Sequence, residues 1–196
     1  MFKTITLFLI YFSLGTTFIF ASYDNLVADL FDYHNIKVHY PDSSNFDVFV
    51  SAKDISLSLL DLVVTGVEDT LVTYKDLSVK ASQIRFSLFN NSLDFFDSVK
   101  VEKDSMSLTC DNAKITFPSV ILVNGNVNFS YADYESFSEE AMYRLDENLI
   151  TLLGNAVLSN QDDYFKGDKI VFDLDNESVL SGGRSKIKLS TKRFQE

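Results

Sequence analysis

Apolar and polar residues alternate with a period of two along most of the chain from residue 36 onward. Val127, Phe129 and Tyr131, for example, alternate with Asn128 and Ser130. This alternation is typical of a β-strand with one apolar face and one solvated face, and the valine, isoleucine and aromatic residues suit a pleated surface. The same pattern occurs at 36–40, 48–52, 113–117, 170–174 and 186–190. The pattern therefore predicts an all-β protein.

Two segments precede the alternating region. Residues 1–21 combine a basic Lys3, an uncharged apolar run and a small residue, Ala21, which together predict a cleaved secretory signal peptide. The alternative is an uncleaved segment that anchors the protein in the inner membrane. Residues 22–35 place Val27, Leu30 and Phe31 at helical spacing, which predicts a short helical segment.

A longer repeat is superimposed on the two-residue period. Strand starts are predicted at intervals of 28 to 32 residues; four of them directly follow turn-forming residues, and the last unit has turn-forming residues in the same place. A second set of turn-forming residues falls half a unit away, so that each unit is predicted to hold two strands. The predicted strand starts are Val38, Val67, Val99, Val127, Ala156 and Ser185. The first turn series is Gly66, Asp97-Ser98, Gly125-Asn126, Gly154-Asn155 and Gly182-Gly183-Arg184, and the second is Asn90-Asn91, Pro118-Ser119, Asp146-Glu147-Asn148 and Asp175-Asn176.

Two parts of the sequence also match each other in detail. Residues 93–115 align with 150–172 at a constant offset, without a gap. Self-similarity of this kind indicates stacked repeats, because a single hairpin cannot bury its own apolar face. Residues 36–196 are therefore predicted to form one domain of stacked two-stranded units.

The last two units resemble the lipopolysaccharide-transport bridge family LptA, also called OstA-like. The resemblance lies in Ala141–Leu145, in Ile150–Leu158 with its Leu-Leu-Gly-Asn core, and in Phe165–Leu174 with its Gly-Asp-Lys-Ile-Val-Phe core. It continues through Val179–Gly183. The earlier units depart from the family pattern, since Cys110-Asp111 stands where Gly167-Asp168 stands later.

The resemblance implies a twisted, partly open β-jellyroll that works in the periplasm. Such a protein carries lipopolysaccharide or a related glycolipid from the inner to the outer membrane, with the acyl chains in an apolar groove. The resemblance also implies that the protein assembles end to end with itself and with other jellyroll components, and that it contacts the membranes through those partners. An LptC-like membrane-anchored docking subunit is one alternative, and a structural or adhesive β-solenoid with a closed core is another.

The inward-facing apolar positions are the candidate lipid-contacting groove. From the residues alone a closed, dry core is the better explanation, because any β-sandwich requires such alternation, whereas the family resemblance favours a lipid-contacting lining. The candidate groove residues are Ile84, Phe86, Val99, Val101, Ile115, Phe117, Val127, Phe129, Leu152, Leu158, Ile170, Phe172 and Leu174.

Charge narrows the range of partners. The formal net charge is −11, and an acidic protein is poorly suited to nucleic acid. Residues 184–196 nevertheless contain five basic residues and one acidic residue. This basic tail fits either an acidic partner or anionic head groups, or is simply a solvated terminus.

The sequence carries no recognisable catalytic motif, and we expect neither enzymatic activity nor a cofactor or metal ion. His34 and His39 lack a second ligand at a useful spacing. Cys110, the single cysteine, fills a small-residue position and is expected to be buried. Asp111 and Asp168 recur at one repeat position, which predicts a role in strand register rather than acid–base chemistry. The acidic residues of 173–177 are explained by a hairpin turn.

Overall fold

A computed structural model of the protein describes residues 10–12, 35–40, 46–58, 60–161 and 163–189. The regular elements in these ranges are β-strands, joined in one sheet. They are β1 (Ile10–Phe12), β2 (Asn35–Tyr40), β3 (Phe46–Ser51), β4 (Asp54–Ser58), β5 (Val63–Tyr74), β6 (Leu77–Ser87), β7 (Ser92–Lys103), β8 (Met106–Thr116), β9 (Val120–Tyr131), β10 (Tyr134–Arg144), β11 (Leu149–Asn160), β12 (Asp163–Asp173), β13 (Ser178–Gly182) and β14 (Lys186–Lys188).

The sheet is an antiparallel meander without crossovers. Successive strands pair with each other from β5 to β12. At one end β3 and β4 both pair with β5, and at the other β13 and β14 both pair with β12, so each couple acts as one interrupted strand. Because successive strands from β5 to β12 lie side by side, this part of the sheet is built from hairpins.

A row of bulges crosses the sheet near the middle of its strands. The pairing register shifts between Phe96 and Val99 on β7, and between Leu153 and Ala156 on β11. These two shifts are equivalent under the predicted alignment of 93–115 with 150–172, which the structure confirms. A two-residue bulge bends each strand that carries it, so the row folds the sheet into two facing walls.

The first series of predicted turns is wrong in its placement. Gly125-Asn126 and Gly154-Asn155 lie inside β9 and β11, where all four residues have positive φ. Left-handed backbone favours glycine and asparagine in bulges as well as in turns, so residue type does not separate the two. Val67 is also out of register with its predicted equivalents: it precedes the bulge at 68–69, and the buried Thr70 follows it.

The true connections lie at the two margins of the folded sheet. Narrow turns of two residues join β5 to β6, β7 to β8, β9 to β10 and β11 to β12. Wide turns of three or four residues join β6 to β7, β8 to β9, β10 to β11 and β12 to β13. The wide turns contain the second predicted series, which is confirmed. The narrow turns were not predicted.

The core fills the space between the two walls. One wall is formed by the strand halves near the narrow turns and the other by the halves near the wide turns. Their inner residues form a continuous hydrophobic cluster from Val48 to Leu174. The prediction of an all-β protein of stacked two-stranded units in a twisted jellyroll-like sheet is confirmed.

The structure describes only a small part of the N-terminal region for which a signal peptide and a helical segment are predicted. Residues 22–34 of the predicted helical segment lie outside the described residues, and Asn35 begins β2. Within the predicted signal segment only 10–12 are described, as a strand beside β2. No helix capable of crossing a bilayer occurs in the described part of the chain.

Candidate functional site

The predicted groove residues all lie between the two walls. All thirteen belong to the buried hydrophobic core. Six residues of the wide-turn wall, such as Ile84 and Phe172, have essentially no exposed surface, and Val127 of the narrow-turn wall is equally buried. The sequence therefore predicted correctly which side of each strand faces inward. Whether these side chains contact a lipid remains a prediction.

Two aromatic clusters bring the walls together. The Phe117 ring lies 4.9 Å from the Tyr74 ring in an edge-to-face arrangement and 6.0 Å from the Phe86 ring. Nearer the C-terminal end, the Phe172 ring is the centre of a second cluster with Phe129, Tyr131 and Tyr134. Aromatic pairs at these separations stabilise a core beyond the burial of their area. The two clusters therefore pack the walls against each other.

The two margins of the folded sheet are joined by a row of contacts that we call the seam. The Tyr74 hydroxyl donates to the Pro118 carbonyl at 2.8 Å, and the Tyr131 hydroxyl donates to the Leu174 carbonyl at 3.2 Å. Each contact links the residue before a narrow turn to a wide turn three strands further on. This constant stagger shows that the sheet coils as it folds over. The seam links the two margins of the described sheet at intervals.

A polar network forms the middle of the seam. Lys103 occupies the place of Tyr74 and Tyr131, and its ammonium group lies 3.3 Å from the Tyr143 hydroxyl and 3.5 Å from a carboxylate oxygen of Asp76. The Tyr143 hydroxyl in turn donates to Oδ1 of Asn148 at 2.6 Å. Burial raises the pKa of Tyr143, so its hydroxyl stays protonated as a donor. The network joins the margins through charge-assisted contacts rather than through a single hydrogen bond.

Sequence reasoning missed the seam, although the chain carried a signal for it. Positions 74, 103, 131 and 160 are equivalent, because each is the last residue of a strand that leads into a narrow turn. Three of these four positions carry a long side chain with a polar end, namely Tyr74, Lys103 and Tyr131. A polar tip on a long stem suits a residue whose body is buried and whose end reaches a backbone carbonyl.

The predicted register residues lie on the row of bulges. Asn126 Nδ2 donates to Asp111 Oδ2 at 2.9 Å, and the Arg184 backbone amide donates to Asp168 Oδ2 at 3.3 Å. Each carboxylate thus binds the bulge of the following strand. The proposed role of Asp111 and Asp168 in strand register agrees with these contacts. Glu139 plays the same part in the unit between them, where it accepts from Asn155.

Cys110 lies on the inner side of β8, next to that row. It is buried, as predicted, and burial together with the nearby Asp111 carboxylate raises the pKa of its thiol to about 12. A thiol held so strongly in its protonated form is a poor nucleophile. Among the described residues, no three histidine, cysteine or carboxylate side chains come together to hold a metal ion.

The interior is exposed at the C-terminal edge of the sheet. Ile187 pairs with Phe165, whose side chain packs on the core, so Ile187 faces the same side. Ile187 and Leu189 are nevertheless 54% and 55% exposed. They extend the apolar inner face to an edge strand that pairs on one side only. The arrangement is an apolar interior whose margins are linked by the seam and whose inner face is exposed at the C-terminal edge.

Comparison with known proteins identifies relatives of this architecture. The family described as LptA/(LptD N-terminal domain) LPS transport protein matches residues 78–178. Among solved structures, the fold is similar to that of LptH, described as the LptA homologous periplasmic component of the conserved lipopolysaccharide transport device from Pseudomonas aeruginosa. The TM-score is 0.55 at 16% sequence identity, over 58% of this chain and 94% of LptH. No curated protein sequence matches this chain.

Proposed function

This chain belongs to the LptA/LptD N-terminal domain family of lipopolysaccharide transport proteins, and from that premise we propose that it is a periplasmic bridge that carries a glycolipid between membranes. The family consists of transport proteins rather than enzymes. The cargo is lipopolysaccharide or a related glycolipid, whose acyl chains enter the apolar interior while its polar part stays outside. The observation that carries this proposal is the continuous apolar interior that reaches the C-terminal edge.

The chemistry of the interior supports acyl-chain binding. Its lining consists of aliphatic and aromatic side chains drawn from both walls. Each methylene group transferred from water to such a lining contributes about 0.8 kcal/mol. A saturated chain therefore gains binding energy in proportion to its length. No directional contact is needed, so the chain is free to slide.

The seam indicates how the chains gain access. Its contacts at Tyr74, Lys103 and Tyr131 hold the two margins together along the described sheet. Lipid therefore enters at the open end, past Ile187 and Leu189, or after the margins part. The unpaired outer edge of β13 and β14 can also accept a strand from another jellyroll, which makes the open ends continuous.

A closed structural core is the second candidate, and one observation favours it. The thirteen candidate groove residues are almost completely buried against each other, as in a domain that binds nothing internally. The two candidates differ in what the exposed inner residues at the edge contribute. In a carrier they are part of the lipid path, whereas in a closed β-solenoid they are replaceable.

A matched pair of substitutions separates the candidates. Ile187→Asp places a charge on the inner face of the edge, and Leu180→Asp places the same charge on the outer face of β13, where Leu180 is 70% exposed. We propose to measure binding of lipopolysaccharide to each purified variant. A carrier loses binding in Ile187→Asp and keeps it in Leu180→Asp. Absence of binding by the unsubstituted protein, or equal binding by all three proteins, contradicts the proposal.

A further inference from the structure

The outer face of the C-terminal edge carries an unbalanced group of cations. Lys166 on β12 lies directly opposite Lys186 on β14, and Lys188 lies opposite Tyr164. All three lysines are exposed. They point away from the core, because Phe165 and Ile187 between them face inward. We call Lys166, Lys186 and Lys188, with Tyr164, the basic face.

The lysines of the basic face have no ion-pair partner among the described residues. The Asp168 carboxylate, two residues further along β12, accepts the Arg184 backbone amide instead. Like charges directly opposite each other destabilise an antiparallel pair. An anion placed between Lys166 and Lys186 would relieve this repulsion.

A second lysine pair in the same sheet shows how the chain balances such an arrangement elsewhere. Lys80 on β6 lies directly opposite Lys100 on β7, and both are exposed. There the Lys100 ammonium group lies 2.6 Å from Oε1 of Glu102, and these lysines lower the pKa of that carboxyl. Among the described residues, no carboxylate forms an ion pair with the basic face as Glu102 does with Lys100. Its charge is therefore available for an external anion.

The setting of the basic face indicates the kind of anion. It lies at the edge of the sheet, where Ile187 and Leu189 are exposed on the opposite, inner face of the same segment and Leu180 is exposed on the outer face of β13. An edge that carries cations on one face and exposed apolar side chains on the other suits the boundary between head groups and acyl chains, where both kinds of contact are satisfied. Nucleic acid would contact only the cations and not the apolar side chains, and the net charge of −11 disfavours its binding.

We propose that the basic face docks on the surface of an anionic phospholipid bilayer. Docking places the C-terminal edge of the sheet, with its exposed inner residues, at the membrane. The inference goes beyond the proposed transport function, since it concerns a direct contact with the bilayer and requires no glycolipid cargo.

Vesicle binding by the full chain tests this inference. The probes are phosphatidylcholine vesicles with and without a one-third share of phosphatidylglycerol, at low and high salt. Because every protein compared carries the same N-terminal segment, the quantity compared is the phosphatidylglycerol-dependent part of the partition coefficient. We expect that part to be large at low salt and to vanish at high salt.

Two double variants with the same change in charge provide the comparison. Lys166→Gln/Lys186→Gln is expected to lower the phosphatidylglycerol-dependent partition coefficient about 30-fold, because the attraction of two lysines to the anionic surface is lost. Lys80→Gln/Lys100→Gln is expected to leave it within about twofold. Unchanged far-UV circular dichroism establishes that both variants are folded.

Three results would overturn the inference. They are equal binding of the unsubstituted chain to both kinds of vesicle, an equal loss in the two double variants, and binding of a single-stranded oligonucleotide in place of vesicles. Because the vesicles contain no glycolipid, these results are independent of whether the protein carries lipopolysaccharide.

Discussion

Glu139 Oε1 accepts a hydrogen bond from Asn155 Nδ2 at 2.6 Å, across the bend between β10 and β11. Asp111 and Asn126 stand in the same relationship one hairpin earlier. In both cases the carboxylate of one strand binds the left-handed bulge of the next strand. The bend is therefore held by the same pair of residue types in successive units, which keeps the two walls facing each other.

The bulge at Gly154 should tolerate no side chain. Gly154 has φ +72°, and a Cβ atom there would lie 2.5 Å from a carboxylate oxygen of Glu139. We expect Gly154→Ala to lower the free energy of unfolding by about 1–3 kcal/mol, through backbone strain and displacement of Glu139. Urea unfolding followed by circular dichroism measures this. Gly182→Ala is the control, because a Cβ atom at Gly182 meets nothing within 4 Å. Equal stability of the two variants would show that the bulge is not constrained.

The seam should contribute measurably to stability. Tyr131→Phe removes the hydroxyl that donates to the Leu174 carbonyl and leaves the ring in place. We expect a loss of about 0.5–1.5 kcal/mol in the free energy of unfolding. Tyr164→Phe serves as the control, because the half-exposed Tyr164 hydroxyl forms no hydrogen bond among the described residues. A Tyr131→Phe variant as stable as the control would mean that the margins are not held by this contact.

Cys110 should report on opening of the core. With a thiol pKa of about 12, only about one molecule in ten thousand carries the thiolate at pH 8. We expect reaction with a disulfide reagent such as Ellman's reagent to be very slow in the folded protein and fast in urea. The rate of this reaction is measured as the increase in absorbance at pH 8. Rapid labelling without denaturant would place the thiol in contact with solvent.

Stability should decline in alkaline solution. Burial raises the pKa of Tyr143 above its ordinary value of 10.0, so the unfolded state releases this proton at lower pH than the folded state. The contribution of the protonated Tyr143 hydroxyl to the free energy of unfolding is complete below pH 10. It is lost as the pH rises through the pKa of Tyr143 in the folded protein. We expect the urea midpoint to fall above pH 10, and less steeply in Tyr143→Phe. An identical pH dependence in that variant would remove Tyr143 as a cause.

The alternation of residues predicted the inner faces well, because a strand presents successive side chains to opposite sides whatever its partner. Val127, Phe129 and Phe172 are buried as expected. The bends were misread as turns, because Gly125-Asn126 adopts positive φ in a bulge as readily as in a hairpin. The contact of Tyr131 with Leu174 could not be predicted from either residue, since it depends on the coiling of the entire sheet.

Lipid photo-crosslinking tests the central claim most directly. A photoreactive residue placed at Phe117, Phe129 or Phe172 in cells faces the interior, and one placed at the exposed Lys114 is the outward control. The account predicts lipid adducts at the interior positions and none at Lys114, with mass spectrometry identifying the glycolipid. A folded protein without adducts at any interior position would contradict the account and establish a closed core.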